Sequence, residues 1–297
     1  MHFVKYENIE DFMKENFELI LEKEWLNCLM VGNCMEAKKI GIDGWLLAKV
    51  VQNERTELIM LYRKPWKLIM YSPTDNVTDE LYKFAAEEVY KTDNNLLGVN
   101  AETVIANKFA KYYCETANKH NKLVTPMKIL VLEKMLPRQK TIEVNFRQAK
   151  ENDRQVLTQY IKEFYKEALN QDVLDEDVNK KFESYFERGY YVLEQQGKIL
   201  SQAGIGRELI KGKNVSAVYT PKEERGKGYA YDLVYRLSKK CLDEGAEYCV
   251  LYTDADNPIS NHIYEKMGYR KRVECDEIEF YEWKEMPRWK ILKFWKI

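Results

Sequence analysis

Two glycines alternating with two cations, just ahead of a helix-patterned stretch, are the part of this sequence best suited to chemistry. The run Val215–Ala230 reads VSAVYTPKEERGKGYA. It joins a strand-like segment, a turn containing Pro221, the loop Arg225-Gly226-Lys227-Gly228 and a helix that starts near Gly226. That order gathers unpaired backbone N–H groups and the positive end of a helix dipole at one place, which favours phosphate. Gly226 and Gly228 permit close backbone approach, and Arg225 and Lys227 add positive charge. A P-loop is excluded because Gly228, not Ser or Thr, follows Lys227. A dinucleotide loop is excluded because Tyr231 holds the third glycine position. The run alone is also compatible with a plain turn that starts a helix.

A second run lies downstream, from Asp254 to Tyr269, reading DADNPISNHIYEKMGY. Asn257 before Pro258 suits a helix N-cap, and Gly268 suits its end. Asn257 and Tyr264 stand two helical turns apart and share a face.

In this order the two runs resemble the GNAT acetyltransferase superfamily. Its loop pattern, Arg/Gln-x-x-Gly-x-Gly/Ala, is met by Arg225, Gly228 and Ala230, and the likeness spans roughly Thr141 to Trp283. The resemblance implies acetyl-CoA as co-substrate. It places the pyrophosphate on the N–H groups of Arg225, Gly226, Lys227, Gly228, Tyr229 and Ala230. The pantetheine arm would pair with Val218, Tyr219 and Thr220, where the family carries a strand bulge, and pass Asn257 and Asn261. Tyr264 would protonate the departing thiolate, since a phenol with a pKa of about 10 keeps its proton at neutral pH. The acceptor would be a primary amine of a small molecule, peptide or protein that attacks the thioester directly. A base must take its proton; Glu208 is the candidate, with Glu194 and Asp254 as competitors, and each reads more readily as a solvated carboxylate than as the base.

The elements that must hold these residues are read from periodicity. Ile9, Phe12, Met13, Phe17, Ile20 and Leu21 mark an opening helix. Strands are expected at Gly44–Val51, Glu57–Arg63, Trp66–Ser72, Leu96–Val99 and Met127–Leu132, with helices near Val77–Lys91 and Ala101–Asn118. A polar stretch with Pro137, from Glu133 to Lys140, separates a second set. There, strands are expected at Thr141–Arg147, Tyr190–Glu194, Ile199–Ile205, Val215–Thr220, Tyr248–Thr253, Tyr269–Val273 and Asp276–Trp283. Helices are expected around Val156–Leu169, Val178–Phe186, Gly226–Glu244 and Pro258–Met267.

The two halves repeat one order. The fold expected is α/β (α+β): two tandem GNAT-like domains, each a mixed, mostly antiparallel sheet flanked by helices. Residues 1–135 would form a degenerate half, 141–284 the acetyltransferase domain and 285–297 a basic aromatic tail. The degenerate half has Ser72-Pro73-Thr74-Asp75-Asn76-Val77 where the glycine loop should lie, and Asp75 would repel phosphate.

A net charge of -1 gives no basic field for nucleic acid or an anionic membrane. No apolar run reaches a membrane span, and the charged N-terminus is unlike a signal peptide. The six cysteines contain no Cys-x-x-Cys pair and the three histidines lie far apart, so no metal is expected. A cytoplasmic monomer or homodimer is expected. The acidic stretch Glu274–Glu282 reads as an exposed strand face or as a lure for a cationic acceptor. Two other functions stay open: an acyl-CoA sensor or pseudoenzyme without turnover, and an interaction protein that binds no CoA.

Overall fold

A computed structural model describes residues 1–282 except 75, 77, 139–141 and 170. The tail 285–297 and the residues Asp75, Val77 and Thr141 lie outside the described set. In chain order the elements are β1 (His2–Tyr6), α1 (Ile9–Glu22), α2 (Cys28–Ile40), β2 (Leu46–Gln52), β3 (Arg55–Tyr62), β4 (Leu68–Tyr71), α3 (Asp79–Thr92), β5 (Gly98–Glu102), α4 (Thr103–Ala117) and β6 (His120–Leu132). Then come β7 (Asn145–Gln148), α5 (Arg154–Leu169), α6 (Asp175–Arg188), β8 (Tyr190–Gln195), β9 (Lys198–Ile205), β10 (Gly212–Tyr219), α7 (Tyr229–Asp243), β11 (Tyr248–Asp254), α8 (Pro258–Met267) and β12 (Arg270–Tyr281). The result is the expected mixed α/β fold, with mostly antiparallel strands flanked by helices. Among the described residues no helix is long and apolar enough to cross a membrane.

Two compact units divide the chain. Of the described residues, the first comprises those within Met1–Lys23 and Asn33–Met127 and those from Glu274 to Glu282. Its strands run β1-β2-β3-β4-β5-β12, antiparallel except for β4 beside β5. Leu81, Tyr82, Ala85, Ala86 and Val89 recur at helical spacing and bury one face of α3. They share a core with Met60, Phe109, Tyr113, Ile278 and Phe280.

The second unit comprises Glu24–Gly32 and Lys128–Val273. Its strands run β6-β11-β10-β9-β8-β7. One face packs Val215, Leu251 and Tyr269 with Leu233, Val234 and Leu237 of α7. The other packs Tyr190, Val192 and Ala217 with Leu157 and Ile161 of α5 and Phe182 and Tyr185 of α6. Period-2 alternation along β8 and β9 feeds both cores, as buried strands require.

These units differ from the contiguous halves read from the sequence in two segments. Glu274–Tyr281 joins the first unit because Ile278 and Phe280 alternate into its core. Glu24–Gly32 joins the second because Glu24, 1 % exposed, accepts from the N–H groups of Ile210, Lys211 and Gly212 and from the Tyr248 hydroxyl. Two further differences are local. The opening HFVKY is strand β1 before the first helix. The two strands expected at 269–283 are one, β12, since no turn residue interrupts Arg270–Tyr281. The acidic stretch therefore pairs with β5: Asp276 accepts from Asn107 at 2.8 Å, and Glu277 is bound by Lys67.

Candidate active site

The second unit contains a fork. β10 and β11 pair in parallel at Gly212↔Tyr248, Lys213↔Cys249 and Asn214↔Val250, where the pairing stops, while β10 continues to Tyr219 and β11 to Asp254. Buried Asn214 sits at the last pair and donates to the Val250 carbonyl at 3.3 Å. Beyond it the register with β9 shifts between Ser216 and Tyr219, and Ala217 takes a left-handed φ of 51°. This is a β-bulge, which leaves backbone groups unpaired and aims them out of the ladder. It falls just before Val218, where the bulge was expected. The Tyr219 and Thr220 carbonyls already accept from Ser201 Oγ at 3.0 Å and Arg225 Nε at 2.9 Å. Val218 packs, half-buried, toward α7.

Past the fork the chain turns through a short 3-10 segment, Lys222–Glu224, into an exposed loop. Gly226 and Gly228 have φ of 78° and 88°, a region that side chains rarely enter. A Cβ on Gly226 would meet nothing within 4 Å. Gly228 is the N-cap of α7, and no side chain caps that end. The contrast with α8 is direct, because there the Asn257 side chain accepts from Ser260 N at 3.1 Å. The first N–H groups of α7 therefore lie open beside glycine, a fit to an anion such as a pyrophosphate. Tyr229 and Ala230, half-buried, begin the helix.

The two loop cations are engaged within the protein. Arg225 donates to Glu167 at 2.7 Å and lies over the Tyr219 ring. Burial would raise the Glu167 carboxyl, but Arg225 outweighs it and the net direction is down. Lys227 and Lys198 both hold Glu224, at 2.7 and 2.6 Å, and keep its carboxyl below the ordinary range. The Tyr219 hydroxyl donates to Glu163 at 2.8 Å, which anchors the end of β10 to α5.

On α8, Asn257 is an exposed cap, whereas Asn261 is buried. Its amide donates to the carbonyls of Asp254 and Ala255, at 3.2 and 3.4 Å, and its Oδ1 is buried with no donor. An orphaned acceptor of this kind costs about 1–3 kcal/mol, and a ligand N–H would relieve it. Tyr264 is half-buried, edge-on to Tyr269 at 5.9 Å, and burial pushes its phenol up to about 12.

Of the three carboxylates considered as base, Glu194 binds Arg147 and the Gly197 N–H, and Asp254 accepts from Asp256 N in a turn. Glu208 is exposed on the turn ahead of β10. Sequence reasoning missed Glu24, Glu163 and Glu167; their partners lie far away along the chain, and no local spacing announces them.

Residues 155–269 match the model of the Acetyltransferase (GNAT) family, so this stretch is a GNAT acetyltransferase domain. Family and fold together imply acyl transfer from acetyl-CoA. Two solved structures are similar over nearly the whole chain. An acetyltransferase described as of the GNAT family, from Colwellia psychrerythraea, is 13% identical, with 94% of this chain and 99% of that chain covered and a TM-score of 0.58. A GCN5-related N-acetyltransferase from Sphaerobacter thermophilus is 14% identical, with 94% and 95% covered and a TM-score of 0.62. At such identities the likeness speaks to the fold alone. No curated protein matches the sequence.

Proposed function

We propose that the second unit is an acetyl-CoA-dependent N-acetyltransferase acting on a primary amine. The observation that carries this reading is the strand fork with its bulge at Ala217, followed by an uncapped, glycine-led helix N-terminus. The loop from Arg225 to Ala230 would take the pyrophosphate, and the fork the pantetheine arm, with Asn261 Oδ1 receiving an amide N–H. The amine nitrogen attacks the thioester carbonyl, the C–S bond breaks, and Tyr264 gives its proton to sulfur. Burial holds the Tyr264 phenol near 12, so it carries its proton at neutral pH and has one to give to the sulfur. Glu208, exposed on the turn ahead of β10, is the base proposed, acting through water.

The first unit, on this reading, holds no CoA. Between β4 and α3 it has no glycine, and Thr74 is bonded to Glu57, a buried carboxylate that opposes phosphate. The test is a titration with acetyl-CoA followed by CoA thiol release over a panel of amines. Binding with turnover is expected. Absence of binding overturns the reading, and binding without turnover on any amine makes the domain a sensor.

A further inference from the structure

Arg207 is a half-buried cation with no carboxylate within ion-pair distance among the described residues. Most neighbours of its kind in the second unit are paired, as Arg147, Arg154, Arg225 and Arg236 are. Its position is nonetheless held firmly. The stem runs over Gly32, where an added Cβ would lie 3.2 Å from Arg207 Cδ. The guanidinium donates to Asn214 Oδ1 at 3.2 Å and lies 5.6 Å from the Tyr252 ring centroid. Asn214 is the buried residue at the last β10–β11 pair. Arg207 is thus indexed to the base of the fork, with most of its five donors unused.

A second cation stands one helical turn before Tyr185 on α6. Lys181 lies over the Tyr165 ring at 4.4 Å, and among the described residues no ion pair is formed by it, whereas its neighbour Lys180 is paired with Glu176. Tyr165 and Tyr185 adjoin one another, and the Tyr185 hydroxyl stands 3.5 Å from Ser216 Oγ, where the bulge begins. Burial raises the Tyr185 phenol to about 12, while Lys181 and Arg207 both pull against it. The nearby buried carboxylate, Glu24, is already saturated by three backbone N–H groups and the Tyr248 hydroxyl. Two cations without ion-pair partners among the described residues, near the Tyr185 and Ser216 hydroxyls, suit an anion.

We propose that the acceptor carries an anionic oxyacid group, a carboxylate or a phosphate monoester, on the same molecule as its amine, and that Arg207 and Lys181 receive it. The bulge would then hold the thioester at a fixed reach from the anchored anion. This rests on the transferase reading above and adds the class of acceptor to it.

The experiment compares matched acceptors: amino acids beside their primary amides, and phosphoethanolamine beside ethanolamine. Initial rates of CoA thiol release are measured with wild type, Arg207→Gln, Arg207→Lys and Lys181→Gln. Binding of the same molecules without acetyl-CoA is followed by saturation-transfer NMR. The anionic member of at least one pair should exceed its neutral partner in kcat/KM by about ten- to a hundredfold, the range of a hydrogen-bonded charge. The pair that discriminates identifies carboxylate or phosphate. In Arg207→Gln the ratio should fall toward one, mainly through KM, with CoA affinity unchanged and partial recovery in Arg207→Lys. Equal use of both members of every pair, or a ratio that survives in Arg207→Gln and Lys181→Gln, overturns the proposal. Should acetyl-CoA fail to bind, the transferase reading falls, while the NMR comparison still decides whether Arg207 and Lys181 hold the anion.

Discussion

Each unit has a parallel strand pair whose pairing is short: Leu68↔Val99 and Ile69↔Asn100 in the first, Gly212↔Tyr248 to Asn214↔Val250 in the second. The two units part ways in the turn that leaves the pair. After β4, Ser72 Oγ donates to the Thr74 carbonyl and the Thr74 hydroxyl to Glu57, so side chains close the turn around a buried carboxylate. After β10, two glycines at positive φ lead into an uncapped helix, and the carboxylate at hand, Glu224, is held by two lysines. The strand pair thus belongs to the architecture, and the capacity for an anionic ligand belongs to the loop.

The largest effect should come from breaking the second loop. Gly228→Glu puts a side chain at φ 88°, against Ile142 Cδ1, and a negative charge where phosphate is proposed to sit. Acetyl-CoA affinity should fall by at least about a hundredfold, roughly 3 kcal/mol, by calorimetry, with the unfolding curve checking that the protein still folds. Unchanged affinity would remove the distinction between the loops.

Tyr264→Phe should lower kcat by about a hundredfold and leave CoA affinity nearly intact. The pH profile sharpens the point. A phenol raised to about 12 stays protonated, and so able to donate, well above neutrality. Wild-type kcat should therefore show no alkaline decline attributable to Tyr264 below about pH 10. A decline at lower pH that vanishes in Tyr264→Phe would contradict the raised value.

Glu24→Gln tests how the second unit is held. The substitution sets an NH2 group among the N–H donors of Ile210, Lys211 and Gly212. Leaving a buried donor without its acceptor costs about 1–3 kcal/mol, and the loss should appear in denaturant unfolding. A loss under about 1 kcal/mol would show that the turn does not depend on this carboxylate.

The smallest effect is expected at Glu167→Gln. Arg225 is bound to Glu167 and is half-exposed, so releasing it alters a screened interaction worth under about 1 kcal/mol. Acetyl-CoA affinity should rise by no more than about fivefold, with a steeper salt dependence. A large loss of affinity would mean that Glu167 positions Arg225 for phosphate and does not compete for it.

The local punctuation of the second unit was legible in the sequence. Gly189, Gly245 and Gly268 take positive φ beside the ends of α6, α7 and α8, and Asn257 caps α8, because these residue types act through their own backbone geometry. The bulge fell one to two residues from the expected place, since its position is set by the register with β9. Glu24 and Arg207 gave no signal: one is recognised by four donors, the other by missing partners, and both conditions exist only after folding. The exchange of 24–32 and 274–282 between units was hidden for the same reason.

Calorimetric titration of the full chain with acetyl-CoA tests the contrast between the loops most directly. A stoichiometry of one per chain, lost in Gly228→Glu, is predicted. Two sites per chain, or one that persists in Gly228→Glu, would contradict it.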